Sequence, residues 1–286
     1  MFKEVLRSVS RLVGRKNLYR ASHFLVRAAR GEVTNSYQCN GEKMVQTVAL
    51  RTAVAPAVIF DVGANIGDWT EGLLKIAADL HIPVHVYSFE PCHGTFSRLS
   101  ERLGRLPNVT LVNEACSREA GSAIMHVYEG EEWTNSLAAP HDDRASISEE
   151  VKITSIDLYC KSAGIEKIDF LKIDAEGFDF EVIAGASGML DKGAIRFLQF
   201  EYNYRWIGAR NYLKDVFSFL IPRGYVIGKL RGTTVEFYPH WHWELETWDE
   251  GNYIASSGRD VSQFPCSKPS WLSFGTDFGL QQTEKA

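Results

Sequence analysis

A chain of 286 residues with 45% hydrophobic and 23% charged residues can bury a sizeable core in one large or two small domains, and its balance excludes a disordered, collagen-like or low-complexity polymer. Lys and Arg number 31 against 36 Asp and Glu, a net charge of −5, which disfavours nucleic-acid binding through an overall basic surface. The longest apolar run, Ala53 to Phe60, contains Pro56 and falls far short of the roughly 18 residues that span a bilayer.

The charge is unevenly spread. The first thirty residues hold eight bases (Lys3, Arg7, Arg11, Arg15, Lys16, Arg20, Arg27 and Arg30) against Glu4 alone, which leaves 23 bases against 35 acids in the body. Val5, Leu6, Val9, Leu12 and Val13 recur at helical spacing, which predicts an amphipathic N-terminal helix, and a second helical stretch is expected around Phe24 to Ala29. Two placings stay open for these helices: packing on the main domain, or a basic face resting on an anionic membrane or a partner. Charges interrupt any signal-peptide core, so a cytoplasmic location is expected. Five scattered cysteines with no C-x-x-C pair indicate reduced thiols rather than a disulfide framework or a zinc site.

From residue 57 a unit repeats in which a short apolar run ends in an acid and a helical stretch follows. The runs are VIFD ending at Asp61, VYSFE at Glu90, FLKID at Asp174 and FLQFE at Glu201. Uninterrupted apolar strands are buried on both faces, as in a parallel sheet covered by helices, so the alternation predicts a doubly wound α/β fold. Helices are expected at about 68–80, 92–104, 179–190 and 211–221, with Gly193 and Gly224 at helix exits and a further strand at 109–115. Alternating segments at 122–128 and 151–157 read as an inserted or edge hairpin around a polar loop. YVIGKLR and TVEFYP look like an antiparallel pair, and the tail from His240 is expected to be mostly irregular. The domain plan is an N-terminal helical extension over 1–50, one catalytic domain over 51–255, and an irregular tail over 256–286.

Ligands of open α/β sheets bind beyond the carboxyl ends of the strands, where helix N-termini point into the crevice. Four acids in succession at that edge favour a site, although any one of them could simply cap a helix or begin a turn. Asp61 to Gly67 reads D-V-G-A-N-I-G, with Gly63 and Gly67 permitting a tight turn and close approach of a ligand to backbone. It is not the dinucleotide fingerprint, which needs glycine where Asn65 stands. An acid ahead of the loop suits a cationic ligand such as S-adenosylmethionine better than a pyrophosphate, so a nicotinamide-dependent oxidoreductase is the weaker enzymatic alternative. Glu90 lies at the spacing from which an acid reaches two ribose hydroxyls, and Pro91 holds it extended. Asn113 to Ser117 could hydrogen-bond an adenine ring or form a plain turn.

With Asn40 to Glu42, the glycine loop, Phe89 to Pro91, N-E-A-C-S, Asn135 to Leu137, the block Ile168 to Ala186 and Glu250 to Tyr253, the sequence resembles the FkbM family of S-adenosylmethionine-dependent methyltransferases over about residues 40–255. The long block is the most specific part. The resemblance implies a Rossmann-like class I methyltransferase fold, a mostly parallel central sheet with helices on both faces, and methyl transfer to a hydroxyl of a sugar, glycolipid or polyketide-type acceptor. Cofactor contacts are then expected from Asp61, Gly63, Ala64, Asn65, Gly67, Glu90, Pro91, Asn113 and Ala115. The acceptor side falls to Glu42, Asn135, Ser136, Lys172, Tyr202 and Asn252.

Lys172, Asp174 and Glu176 alternate as if on one face of a strand, and Gly177 then allows a sharp turn. Asp174, Glu176 and Glu201 are the candidates to orient an acceptor hydroxyl and take its proton, with Lys172 as their counter-charge. The same three acids could hold a divalent cation, but no histidine stands at ligand spacing among them and no metal is expected. His240 and His242 read as edge-strand packing, and Trp133, Trp206, Trp241 and Trp243 as a wall for a sugar face. The non-enzymatic alternative is a peripheral scaffold that uses the basic N-terminal helix and keeps the loop only as fold.

Overall fold

The computed structural model describes residues 13–34, 36–127, 147–269 and 271. Val5 to Leu12, Trp133 and the Asn135–Ser136 pair lie outside the described residues. Helix α1 (Arg15–Ala29) comes first and α2 (Glu42–Thr52) second. The apolar runs then appear as strands β1 (Ala57–Val62), β2 (Val84–Phe89), β3 (Val109–Val112), β7 (Ile168–Ile173) and β8 (Ile195–Tyr202). Between them stand α3 (Asp68–Asp79), α4 (His93–Leu103), α5 (Ile156–Ala163), α6 (Asp179–Ala184), α7 (Ser187–Asp191) and α8 (Leu213–Leu220).

β9 (Tyr225–Leu230) and β10 (Val235–Tyr238) form the expected antiparallel pair. With β11 (Gly251–Ser257) and β12 (Cys266–Ser267), the nine-stranded sheet runs β12-β10-β9-β11-β8-β7-β1-β2-β3, with parallel pairing from β8 through β3. Alternate residues of each buried strand serve opposite cores. Phe60, Leu171 and Leu198 pack with Ile156, Val182 and Phe217 of the helices on one face, while Ile59, Phe170 and Phe197 pack with Val45, Leu50, Trp69 and Leu73 on the other. Helix α2 therefore covers the sheet, although residues up to 50 read from sequence as an extension; α1 buries no residue.

Two segments differ from the sequence reading, the tail and residues 155–157. The tail holds a seven-residue strand, β11 (Gly251–Ser257), antiparallel to both β8 and β9. The hairpin of β5 (Gly121–Val127) and β6 (Ile147–Thr154) is an inserted one, which joins β4 (Ala115–Cys116) in a separate small sheet. Residues 155–157 leave that hairpin, because Ser155 accepts from the Leu158 N–H and caps α5, as serine commonly does at this position. No helix among the described residues is long and apolar enough to cross a membrane.

Candidate functional site

The strand ends β1, β2 and β7 are knitted by backbone bonds. Gly63 and Ala64 donate to the Phe89 carbonyl, and Asp174 N–H donates to Val62. Gly63 adopts φ 75°, and a Cβ there would lie 1.9 Å from the Asp174 carbonyl oxygen, so only glycine lets the loop after β1 close on the end of β7. Gly67, the residue before α3, is also left-handed, and a Cβ on it would strike Leu99 and Leu103 of α4. Ala64 is buried in that same contact.

Glu90 is buried just beyond β2. Its Oε2 accepts from Asn65 N–H and its Oε1 from Cys92 N–H, both at 3.0 Å. Each oxygen keeps a lone pair for a second donor. Burial pushes the Glu90 carboxyl up to about 7, opposed by those two backbone donors and by Lys172. A carboxyl raised from about 4.3 in the unfolded chain holds its proton more tightly when folded, so its contribution to stability is complete at low pH and is lost as pH rises to about 7. Glu90→Gln should therefore flatten the fall of melting temperature between pH about 5 and 7, read by thermal unfolding at several pH values; parallel curves for the two proteins would place this carboxyl in water.

The cleft between these loops is lined by Gly63, Asn65, Glu90 and Pro91, by Asp174, Glu176 and Phe178, and by Phe89, Glu114, Ala115, Cys116 and Met125. Asn113 is turned away, donating to the Glu90 and Pro91 carbonyls, and so braces the loop that carries Glu90. Sequence reasoning missed Met125 and Phe178, which reach the cleft from the small sheet and from the turn after β7. Their only signal was apolar character near a strand end.

Asp61 is not in the cleft. The pairing register sets Asp61 beside Lys172 on adjacent parallel strands, with Lys172 Nζ 3.1 Å from Asp61 Oδ1 and Thr70 donating to Oδ2 at 2.7 Å. The carboxylate is wholly buried, so the expectation that it grips a ligand cation is corrected: its cation is Lys172. Lys172 also donates to the Gly63 carbonyl at 3.1 Å and lies 3.4 Å from Asp174. Burial disfavours the Lys172 ammonium, yet Asp61, Asp174 and Glu42 outweigh that cost and hold its pKa well above the ordinary lysine value.

β7 ends at Ile173, so Asp174 and Glu176 sit on a turn rather than on the strand. Glu176 takes a left-handed φ of 51°, uncommon for a residue with a side chain, and Gly177 follows at φ 102°, tight against the Arg205 backbone. Asp174, Glu176 and Glu201 bring carboxylate oxygens within 4.8 Å of one another, a grouping able to hold a hard cation. Glu176 pairs with Arg205, and Glu201 accepts from Asn203 at 2.7 Å. Burial, then the neighbouring acids, push Glu176 and Glu201 well above the usual carboxylate range, and burial and Asp174 push Asp179 up to about 8.

A second cavity of about 640 Å³ opens on the other side of Asp174, between the segment around Tyr37 to Lys43 and α3, with Asp68, Trp69 and Lys172 in its walls. Its size lies within the roughly 300–1,000 Å³ of small-molecule sites. Glu42 lines it, accepting from Asn40 and Gln199 at 2.7 Å each. Gln199 also donates to Asn252 at 3.2 Å, and Asn252 stands opposite Glu201 in the β8–β11 register. Tyr202 points the other way: strand alternation buries it under the sheet, where its hydroxyl donates to Glu246, so it is not an acceptor-side residue. Trp206 is likewise core, donating to the Glu201 carbonyl, and no sugar-facing wall is built from it. His242 caps a short 3-10 turn through its Nδ1.

Comparison with known proteins gives likenesses to a family, to two relatives and to a solved structure. The family described as "Methyltransferase FkbM domain" matches residues 61–227. The 2-O-methyltransferase NoeI of Sinorhizobium fredii is 28% identical over 159 residues, 51% of this chain and 63% of that protein. The hexuronic acid methyltransferase AglP of Haloferax volcanii is 27% identical over 173 residues, 59% of this chain and 66% of that protein. The match thus spans a little under two thirds of each relative. Among solved structures, an rRNA methylase from Streptococcus thermophilus aligns over 75% of this chain and 94% of its own with a TM-score of 0.40 at 12% identity.

Proposed function

This chain belongs to the FkbM methyltransferase family, and from that premise we propose that it is an S-adenosylmethionine-dependent O-methyltransferase acting on a hydroxyl of a sugar, glycolipid or polyketide-type acceptor. The names of two relatives, a 2-O-methyltransferase and a hexuronic acid methyltransferase, support that acceptor class. The observation that carries the reading is the position of Asp174, which lines both cavities and so stands where a methyl donor in one would meet an oxygen nucleophile.

The cleft fits the nucleoside half of the cofactor. Glu90 has acceptor capacity for two vicinal hydroxyls, Phe89, Met125 and Phe178 flank a slot for a planar base, and the Gly63–Asn65 backbone allows close approach. When bound, the cofactor supplies an electrophilic methyl group. Glu176 and Glu201 would orient the acceptor hydroxyl by hydrogen bonds, and Asp174 would take its proton. Lys172, fixed by Asp61, holds Asp174 in place.

Asp174, Glu176, Asp179, Glu201 and Glu250 surround this point, and Arg205 is already paired with Glu176. Calorimetry with S-adenosylhomocysteine should show one site, weakened about tenfold or more by Glu90→Ala through loss of a charge-assisted pair of bonds. A panel of neutral sugars and uronates with labelled cofactor should show methyl transfer to a sugar hydroxyl. Unchanged affinity in Glu90→Ala removes this cofactor placement.

A further inference from the structure

Helix α1 buries no residue, yet its polar and apolar positions are sharply separated. Lys16, Arg20, His23, Arg27 and Arg30 follow spacings of four, three, four and three, which puts them on one stripe. Leu18, Ala21, Leu25 and Ala28, joined by Phe24, form the opposite stripe. It is the basic stripe that meets the body of the protein. Arg27 Nη1 lies 3.2 Å and His23 Nε2 3.8 Å from Asp249, and the Arg30 guanidinium stacks 4.6 Å over Trp271.

The apolar stripe faces away, with Phe24 70% and Leu25 65% exposed and Tyr19 on the flank 69% exposed. Exposed apolar residues gathered on one helix face mark an interaction surface. Arg20 borders the stripe on one side and Arg15 on the other, and from residue 13 to residue 31 there is no acid.

We infer that α1 lies in the plane of an anionic lipid surface, its Phe24–Leu25 stripe entering the acyl boundary and its flanking arginines on the headgroups. Segregated apolar and basic arcs of this kind are the signature of helices that lie on a bilayer without crossing it, and long basic side chains at the flanks reach back to the headgroups. Charge argues for lipid over a second copy of the chain. The basic residues are concentrated in the first thirty positions while the remainder carries 35 acids against 23 bases, so an anionic surface attracts this end and repels the rest. The inference is independent of the chemistry proposed for the cleft.

The test is co-sedimentation of the full chain with vesicles of phosphatidylcholine alone or with about 30 mol% phosphatidylglycerol. Binding to the anionic vesicles only, weakened by raised salt, and reduced about tenfold or more in Phe24→Ser/Leu25→Ser, is the result expected. Both sites are exposed, so an unchanged melting temperature shows that the variant is folded. Three outcomes overturn the inference: no binding to anionic vesicles at low salt, equal binding by the double variant, or a dimer of the parent chain that the double variant dissolves, which would make the occupant a second copy.

Discussion

Replacing Asp174 with Asn lowers kcat by about 10²–10⁴-fold, the usual worth of a positioned general base, while S-adenosylhomocysteine affinity changes by less than about threefold. The asymmetry follows from geometry. Asp174 reaches both cavities and its side chain is 39% exposed, whereas the residues that close on the nucleoside slot are Glu90 and backbone groups. Asn keeps the volume and can still accept a hydrogen bond but cannot take a proton at neutral pH. Single-turnover methyl transfer with saturating cofactor is the measurement. A variant that turns over at the parent rate would pass the base role to Glu201 or Glu176, and one that loses cofactor as well would make Asp174 a binding residue.

The second large effect is on stability. Lys172→Met strands the Asp61 carboxylate at zero exposure with Thr70 as its hydrogen-bond donor, and leaving one member of a buried ion pair alone costs about 3–5 kcal/mol. At roughly 2–4 °C per kcal/mol for a chain of this size, the melting temperature should fall by about 10 °C. Removing both charges, as Asp61→Asn/Lys172→Met, should restore much of that loss, because the penalty belongs to the unpaired charge rather than to the missing pair. If thermal unfolding shows the double variant no better than the single, the two side chains are not coupled and the register argument fails.

The parallel half of the sheet was readable because strands buried on both faces must be apolar throughout and because their acids mark the carboxyl edge. Glu90 was readable for the same reason, since Pro91 and the end of β2 leave its carboxyl little choice of direction. Asp61 has an equivalent place in sequence and a different fate. Its partner is 111 positions away, and only the register of β1 on β7 brings Lys172 alongside. Tyr202 was misread through the same blind spot, because a strand that continues one residue past an edge acid sends the next side chain to the opposite face. β11 escaped notice among tryptophans and turn residues, although N-Y-I-A-S-S is a plausible strand once a pairing edge exists for it. The basic character of the N-terminal helix was plain, but not that the basic side turns inward: that depends on Asp249 and Trp271, far along the chain.

The position of β11 bears on how the protein is made. This strand leaves the ribosome after both of its neighbours, yet it is the wedge between β8 and the β9–β10 hairpin. Until it arrives, a nascent chain carries two unfinished borders of backbone donors and acceptors, and such borders recruit other chains. Chaperones that shield open strands would therefore matter most in the short interval before residue 257 emerges, and a stop codon placed just upstream of residue 251 should yield insoluble product even though the glycine loop and all four edge acids have been synthesised.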